Sequence, residues 1–431
     1  MAEAIEREHW SAPQWNAWRQ ERLSRVLHRA ATRVPYYREQ WAARRRNGDR
    51  ASWEYLENWP ILEKETLRTN TAAFLADDCR AVWMFYEHTS GTTGKPLDLW
   101  WSRTTVREWY ALFEARWRRW YGVSWHDHWG ILGGQLVTPV SQRRPPFWVW
   151  NRALHQLYLS SFHLAPNLIP YYLDALRTYR VKYLLGYTSS LVALADEILC
   201  KGRTDLKMTV VVTNAEPVLD YQRRAIAEAF RCPVRETYGM AEIVAAASEC
   251  QHGGLHLWPE VGLVELMEDN SPAPDHGDLV ATGLLNQDMP LIRYRVGDRA
   301  SRNSIESLCP CGRTLPRIAA IEGRADDVLY TADGRKIGRL DPVFKAQLPI
   351  RQAQIIQTRL DCVRVRYVPA SDFTPTAARS IAERIRSRMG EVEVILEPVD
   401  QIPREPNGKF RAVICSLSAQ ERQIAQSVTH E

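Results

Sequence analysis

The feature that most restricts the fold is an alternation in the middle of the chain, where short apolar, β-branched runs lead through small-residue turns into helical stretches. GILGGQLVTPV, from Gly130, is an apolar run entering a glycine and proline turn, and the helical stretch 170–180 follows. VKYLLGYTSSLVALADEIL passes from a strand through Gly186, Tyr187, Thr188 and Ser189 into a helix, with Thr188 or Ser189 as the expected cap. MTVVVTNAEPV is a strand ending in the loop 214–217, residues 220–230 are helical, and PVRETYGMAEI is one more strand-to-turn. Strands of about five residues alternating with helices predict βαβ units and a buried parallel sheet. Such sheets bind ligands beyond the carboxyl ends of their strands, so these loops are expected to converge.

The 431 residues exceed one ordinary core, and two or three domains are expected. Before the alternation, Trp15, Trp18, Leu23, Val26, Leu27 and Ala30 recur at helical spacing until Val34, Pro35, Tyr36 and Tyr37 break the pattern. WPILEKETLR reads as a turn and a helix with Glu63 or Lys64 in its first turn. Residues 107–121 form a helix carrying Trp109, Phe113, Trp117 and Trp120; in a chain with 17 tryptophans these read as core packing before substrate stacking. After Cys250 the texture becomes β-rich (HLWPEVGLVELM, GDLVATGL, PLIRYRVGDRA). Further on, QAQIIQTRL and CVRVRYVP read as paired strands, 377–389 as a basic helix and VEVILEP as another strand. The expected class is α/β: a large N-terminal domain, 1–322, with βαβ sheets and a β-rich subdomain at about 250–322, then a small mobile α+β domain, 323–431, with a frayed tail after Ser416.

Apolar content of 45% and charged content of 25% are those of a soluble globular protein. A net charge of +5, with no basic stripe interleaved with aromatics, gives no reason to expect a nucleic-acid partner. MAEAIEREHW carries charge where a signal peptide needs an apolar core. No apolar run reaches the roughly eighteen residues of a membrane span, so a cytoplasmic protein is expected. Eight scattered cysteines do not form a disulfide framework, and most are expected as buried thiols. Oligomeric state, monomer or homodimer, stays open.

Chemistry is carried by short stretches. YEHTSGTTGKPL, 86–97, follows the apolar AVWMF and reads as a strand emptying into a loop whose amides and hydroxyls can surround a polyphosphate. It is not a Walker A loop, because Gly91 and Gly94 stand three apart and Lys95 precedes Pro96. Four more stretches follow in order: ETYGMAE at 236–242, YRVGDRA at 294–300, GRADDVL at 323–329 and PNGK ending at Lys409. Separately, Cys250, His252 and His256 stand about sixty residues before Cys309-x-Cys311-Gly312; three thiols and one imidazole suit a closed tetrahedral zinc site, with His256 as fourth ligand and His252 as its competitor.

The five stretches in this order, preceded by VPYYR and PILEKETLR, resemble the adenylate-forming (ANL) superfamily, and within it the phenylacetate-CoA ligase and coenzyme F390 synthetase-like family, over nearly the whole chain. The resemblance implies ATP-dependent activation of an aromatic (aryl or arylacetic) carboxylic acid to an acyl-adenylate, then transfer to coenzyme A. The alternative is a free-standing adenylation enzyme that loads a carrier-protein phosphopantetheine or an amine. SQRRPPFWVW, where a glycine-rich segment is expected, leaves the acceptor open, and a basic patch at 379–388 fits a carrier's acidic helix or the coenzyme's phosphates.

By the same resemblance Thr89, Ser90, Gly91, Thr92, Thr93, Gly94 and Lys95 hold ATP phosphates. Tyr238 lies against adenine, with Glu236 and Thr237 beside it and Ala215, Glu216 and Pro217 on the other face. Glu242 holds Mg2+, a hard ion that takes oxygen ligands, and Asp298 accepts from both ribose hydroxyls. Arg324 serves the ribose or phosphate, Asp326 is the hinge, Arg335 approaches the phosphate, and Lys409 is the catalytic cation. Gly133, Gly134, Gly186, Tyr187, Gly239 and Met240 are expected at the acid pocket. Family members of the F390-like branch carry similar cysteines, which implies a structural Zn2+.

Overall fold

The structure, a computed structural model, describes residues 1–88, 97–139, 141–165, 167–215, 218, 220–268, 270–302, 308–322, 329–333, 336–337, 343, 348–369, 372–400, 402, 413–418 and 420–421. It divides into two compact units: residues 1–89, 97–124 and 236–324 form one, and 90–96, 125–235 and 325–431 the other. No helix among the described residues is long and apolar enough to cross a membrane. No disulfide joins any of the eight cysteines, and Cys232, Cys250, Cys309 and Cys362 are buried.

In the first unit the helix Ala12–Arg33 starts at a capping box, in which Ser11 and Gln14 satisfy each other's orphan donors, and buries Trp15, Val26, Leu27 and Ala30. The break expected at 34–37 shrinks to one residue. Val34 is extended and Pro35 opens the next helix, Pro35–Arg46, because a proline at the first helical position gives up only an N–H that would have no partner there. Tyr37, Trp41 and Trp59 then meet edge to face, 5.2 and 5.3 Å apart, inside the unit's main core. A second difference concerns AVWMF: Ala81–Trp83 is a single 3-10 turn with Val82 and Trp83 exposed, and the strand begins only at Phe85. It pairs antiparallel with Asp98–Trp101 as a hairpin, not as a parallel strand. Hydrophobicity alone misleads here because these side chains find no core to enter.

The helix Arg103–Phe113, capped by Ser102, continues through a π turn, Glu114–Arg118, and a 3-10 turn, Arg119–Tyr121, to the left-handed Gly122. The expected single helix is thus modulated midway, and the π turn directs Arg116 inward. A buried guanidinium needs partners, and Arg116 has two: Glu8 at 3.2 Å and Glu260. Trp109 and Trp117 are buried as core, with Trp109 5.6 Å from Trp258. The rest of this unit is an antiparallel sheet in the order Ser271–Pro272, Gly262–Glu268, His276–Gly283, Tyr294–Arg302, Arg317–Glu322, Leu255–Leu257, Ala246–Glu249, and then the end of Val234–Gly239.

The second unit holds the predicted parallel sheet. Val210–Asn214, Tyr183–Tyr187, Trp129–Gly133 and Gln156–Ser160 run parallel in that spatial order, with Trp148–Asn151 antiparallel at the edge. The helices Ile169–Thr178, Thr188–Cys200 and Asp220–Phe230 supply Tyr172, Leu173, Leu176, Leu191, Leu194, Ile198, Ile226 and Phe230 to its core. Neither Thr188 nor Ser189 caps its helix. The strand runs straight into it, so Thr188 is already helical and Tyr187 occupies the cap position without a side-chain bond. The same unit contains a four-stranded sheet, Glu393–Pro398, Cys362–Pro369, Ile350–Arg359 and Val413–Cys415. The helix Pro375–Met389, capped by Thr374, buries Ile381 and Ile385 in its core.

One glycine in the antiparallel sheet sits where no side chain fits. A Cβ on Gly262 would stand 1.9 Å from the Val244 carbonyl oxygen and 2.7 Å from that of Thr282. Gly262→Ala should cost about 3 kcal/mol or more in denaturant unfolding, since backbone must move to admit the methyl. Gly133→Ala, with nothing within 4 Å of the new atom, should leave the midpoint nearly unchanged.

Candidate functional site

Two of the motif stretches meet in the first unit. Thr237, Tyr238 and Gly239 pair with Ser248, Ala247 and Ala246, and the Glu236 N–H donates to Glu249 Oε2 at 2.9 Å. Asp298 lies on Tyr294–Arg302, where the register steps from Val280 opposite Arg295 to Asp278 opposite Arg299. Extra residues therefore bulge out of the ladder around Gly297, which has φ +90°, a conformation suited to glycine. The Tyr238 hydroxyl donates to Asp298 Oδ2 at 2.8 Å, so the aromatic ring and the carboxylate are brought together across 60 residues of chain.

Glu242 follows in a turn closed by Ile243 N–H to Met240 O, 3.1 Å, and held by Trp101 Nε1 donating to the Ala241 carbonyl. Its carboxylate is buried, and Lys64 Nζ at 3.0 Å and the Tyr294 hydroxyl at 2.9 Å both donate to Oε1. Burial pushes this carboxyl up, but the charge and hydrogen bond of Lys64, joined by the Tyr294 hydroxyl, outweigh it and hold the group below the usual carboxylate range. Lys64 opens the helix Lys64–Thr69 behind Glu63. Leu62 fixes that entry by bonding backbone to backbone with Arg293 and Arg295 on either side of Tyr294, at 2.9 and 3.0 Å. Lys64 and Tyr294 were not among the expected site residues; both lie in quoted motifs, but nothing in their spacing joins them to Glu242. Gly239 and Met240 lie in the same stretch, Gly239 against Trp109 and Met240 against the main core.

The four expected metal donors also converge. Ala246–Glu249 ends at Cys250, which is bonded through N–H to the Gly254 carbonyl, and the chain turns at Gly253 to return as Leu255–Leu257 with His256. A second turn, closed by Gly312 N–H to Cys309 O, presents Cys309 and Cys311. The four ligand atoms of Cys250, His256, Cys309 and Cys311 lie within 4.8 Å of one another. Cys250 Sγ to Cys309 Sγ is 3.6 Å and Cys311 Sγ to His256 Nε2 is 3.4 Å. Those edges match a tetrahedron with metal–sulfur bonds of about 2.3 Å and metal–nitrogen bonds of about 2.0 Å. His256 Nδ1 donates to the Leu315 carbonyl at 3.2 Å, which leaves Nε2 as the lone-pair atom facing the thiols. Burial pushes His256 down to about 4, so the imidazole is neutral as a ligand must be. A Cβ on Gly254 would intrude to 3.2 Å from Cys309 Sγ and 3.4 Å from His256 Nε2. His252 lies outside the cluster, beside Gln251 on the surface.

In the second unit the expected acid-pocket residues sit at strand ends. Gly133 closes Trp129–Gly133 and accepts from Ser161 Oγ at 2.8 Å. Gly134 packs so closely on Tyr187 that a Cβ would meet its hydroxyl at 2.6 Å, and Gly186 lies against the Leu132 carbonyl. Ala215 has φ +63° just after Val210–Asn214, and Asn214 Oδ1 is buried without a hydrogen-bond partner among the described residues. Thr89, Ser90, Gly91, Thr92, Thr93, Gly94, Lys95, Glu216, Pro217, Arg324, Asp326, Arg335 and Lys409 lie outside the described residues.

Comparison with known proteins shows what this chain is similar to. Residues 329–416 match the model of the CapK C-terminal domain. Protein CapK of Staphylococcus aureus is 26% identical over 66% of this chain, and the chain spans 64% of that relative's length. A phenylacetate-coenzyme A ligase of Thermus thermophilus is 25% identical over 92% of this chain and 96% of its own. Among solved structures, a 2-hydroxyisobutyryl-CoA ligase with 2-HIB-AMP and CoA superposes with a TM-score of 0.60 at 20% identity, covering 95% of this chain and 91% of that one, a likeness of fold. In its mixed α/β architecture and in these relatives the chain is similar to the phenylacetate-CoA ligase-like proteins of the adenylate-forming superfamily.

Proposed function

We propose that this protein is an AMP-forming ligase that activates an aryl or arylacetic acid with ATP and passes the acyl group to coenzyme A. The observation that carries the reading is the pairing of Tyr238 with Asp298 beside the buried, charge-compensated Glu242. Tyr238 is assigned to adenine, and the Asp298 carboxylate to the ribose hydroxyls. Glu242, with Thr89 to Lys95 on the phosphates, fits Mg2+, which is commonly held through one or two carboxylates and the phosphates themselves; when bound, the ion offsets phosphate charge.

In the first half-reaction a carboxylate oxygen forms a bond to the α-phosphorus, the bond from that phosphorus to the bridging oxygen breaks, and pyrophosphate leaves. Lys409 is assigned to the negative charge that grows there. In the second, the coenzyme thiolate attacks the acyl carbon and AMP departs. The segment 323–431 is read as a lid that turns about Asp326 between the halves, with Arg324 and Arg335 near ribose and phosphate. Cys250, His256, Cys309 and Cys311 are assigned a Zn2+; four protein donors leave no open position, so the ion would be structural.

Pyrophosphate exchange across a panel of carboxylic acids tests the ligase reading. Aryl or arylacetic acids should support exchange in the presence of Mg2+, and absence of exchange with every acid would sink it. Product analysis with coenzyme A, a carrier protein or an amine then identifies the acceptor. Lys409→Ala should lower adenylation by about a hundredfold or more yet spare the use of preformed acyl-adenylate; equal loss in both halves removes its role. Metal analysis should find about one zinc per chain, lost in Cys309→Ser together with thermal stability. A zinc-free wild-type protein of undiminished stability would return those thiols to the core.

A further inference from the structure

Glu242 sits in an electrostatic conflict that the proposed activity does not by itself resolve. A buried carboxylate beside the path of a polyphosphate repels it, and Mg2+ removes the repulsion only once it is present. The chain, however, carries a cation of its own at that carboxylate. Lys64 Nζ lies 3.0 Å from Glu242 Oε1, with the lysine side chain about a fifth exposed and the glutamate's 5% exposed.

This contact is built into the fold. Leu62 is zipped to Arg293 and Arg295 by two backbone hydrogen bonds, and Glu63 pairs with Arg295 at 2.9 Å. Tyr294, between those arginines, donates its hydroxyl to the same Oε1. The first turn of Lys64–Thr69 can therefore present its lysine to Glu242 without costly ordering of a free loop. Both donors fall on one oxygen, so the carboxylate is held by Oε1 alone within this trio.

We infer that Lys64 is the resident counter-cation of Glu242: it neutralises the carboxylate in the metal-free chain, so that the nucleotide's polyphosphate can approach before or without Mg2+. Lys64 is a positioning residue here, acting through Glu242. This rests on the assignment of Glu242 to the nucleotide's metal and deepens it. Lys64 and Mg2+ are then partly redundant neutralisers of one charge, and redundancy has a thermodynamic signature: losing one raises dependence on the other.

The test is titration calorimetry with α,β-methylene-ATP in divalent-free buffer and in excess Mg2+, using full-length protein. Wild type should bind in both. Lys64→Met should lose about tenfold or more without Mg2+ but only about threefold or less with it, and Lys64→Arg should stay near wild type. Lys64→Met combined with Glu242→Gln removes both charges of the pair, so it remains informative where the single variant does not fold. It should recover metal-free binding and gain little from Mg2+. Equal loss with and without Mg2+, or a double variant without metal-free binding, overturns the inference. Wild-type protein that binds no adenine nucleotide even in excess Mg2+ instead overturns the proposed function, so the two failures are distinct.

Discussion

The buried charge of Glu242 is the constraint on which much of the first unit depends. A carboxylate removed from water survives as an ion only with a partner and hydrogen bonds in place. Here the partner comes from the start of a short helix, 178 positions earlier in the chain, and the hydroxyl from a strand 52 positions later. Meeting that demand brings the helix entry at Leu62 alongside Tyr294, and that same strand carries Asp298 to Tyr238. The arrangement that neutralises one charge thus also assembles the motifs around it.

Legibility from the sequence followed the range over which each feature is encoded. The βαβ alternation is local: strands buried on both faces read as apolar runs, as at Val210–Asn214, and Asp220–Phe230 matches its predicted bounds. The thiol and imidazole set was legible because those side chains have few other reasons to cluster, and the choice between His252 and His256 needed only the geometry of one turn. What escaped was either non-local or a matter of burial. The Lys64–Glu242 and Arg116–Glu8 pairs have no periodicity to betray them, and AVWMF looks like a strand until Val82 and Trp83 are found exposed. The cap at Tyr187 escaped for a third reason, because a strand passing straight into a helix leaves no place for a capping hydroxyl.

The residues after Cys311 extend the consequences of the metal-donor cluster beyond its four ligands. Thr314 bonds to the carbonyls of Glu8 and Trp10, His9 Nδ1 meets the Gly312 carbonyl, and Arg313 joins Glu8 at 2.9 Å while covering the Trp120 ring. Glu8 in turn accepts from Trp120 and pairs with the buried Arg116 of the π turn. Displacing the Cys309–Cys311 turn would therefore pull at the N-terminal segment and leave Arg116 with Glu260 as its remaining acidic partner, a cost set by a buried charge and not by the few contacts of the turn. Trp120 closes the circuit from the other side, its ring edge-on to His256 at 5.9 Å. The donor cluster, the first ten residues and the π turn consequently behave as one electrostatic unit, and that is why a turn so short can be held in place with three thiols converging on one imidazole.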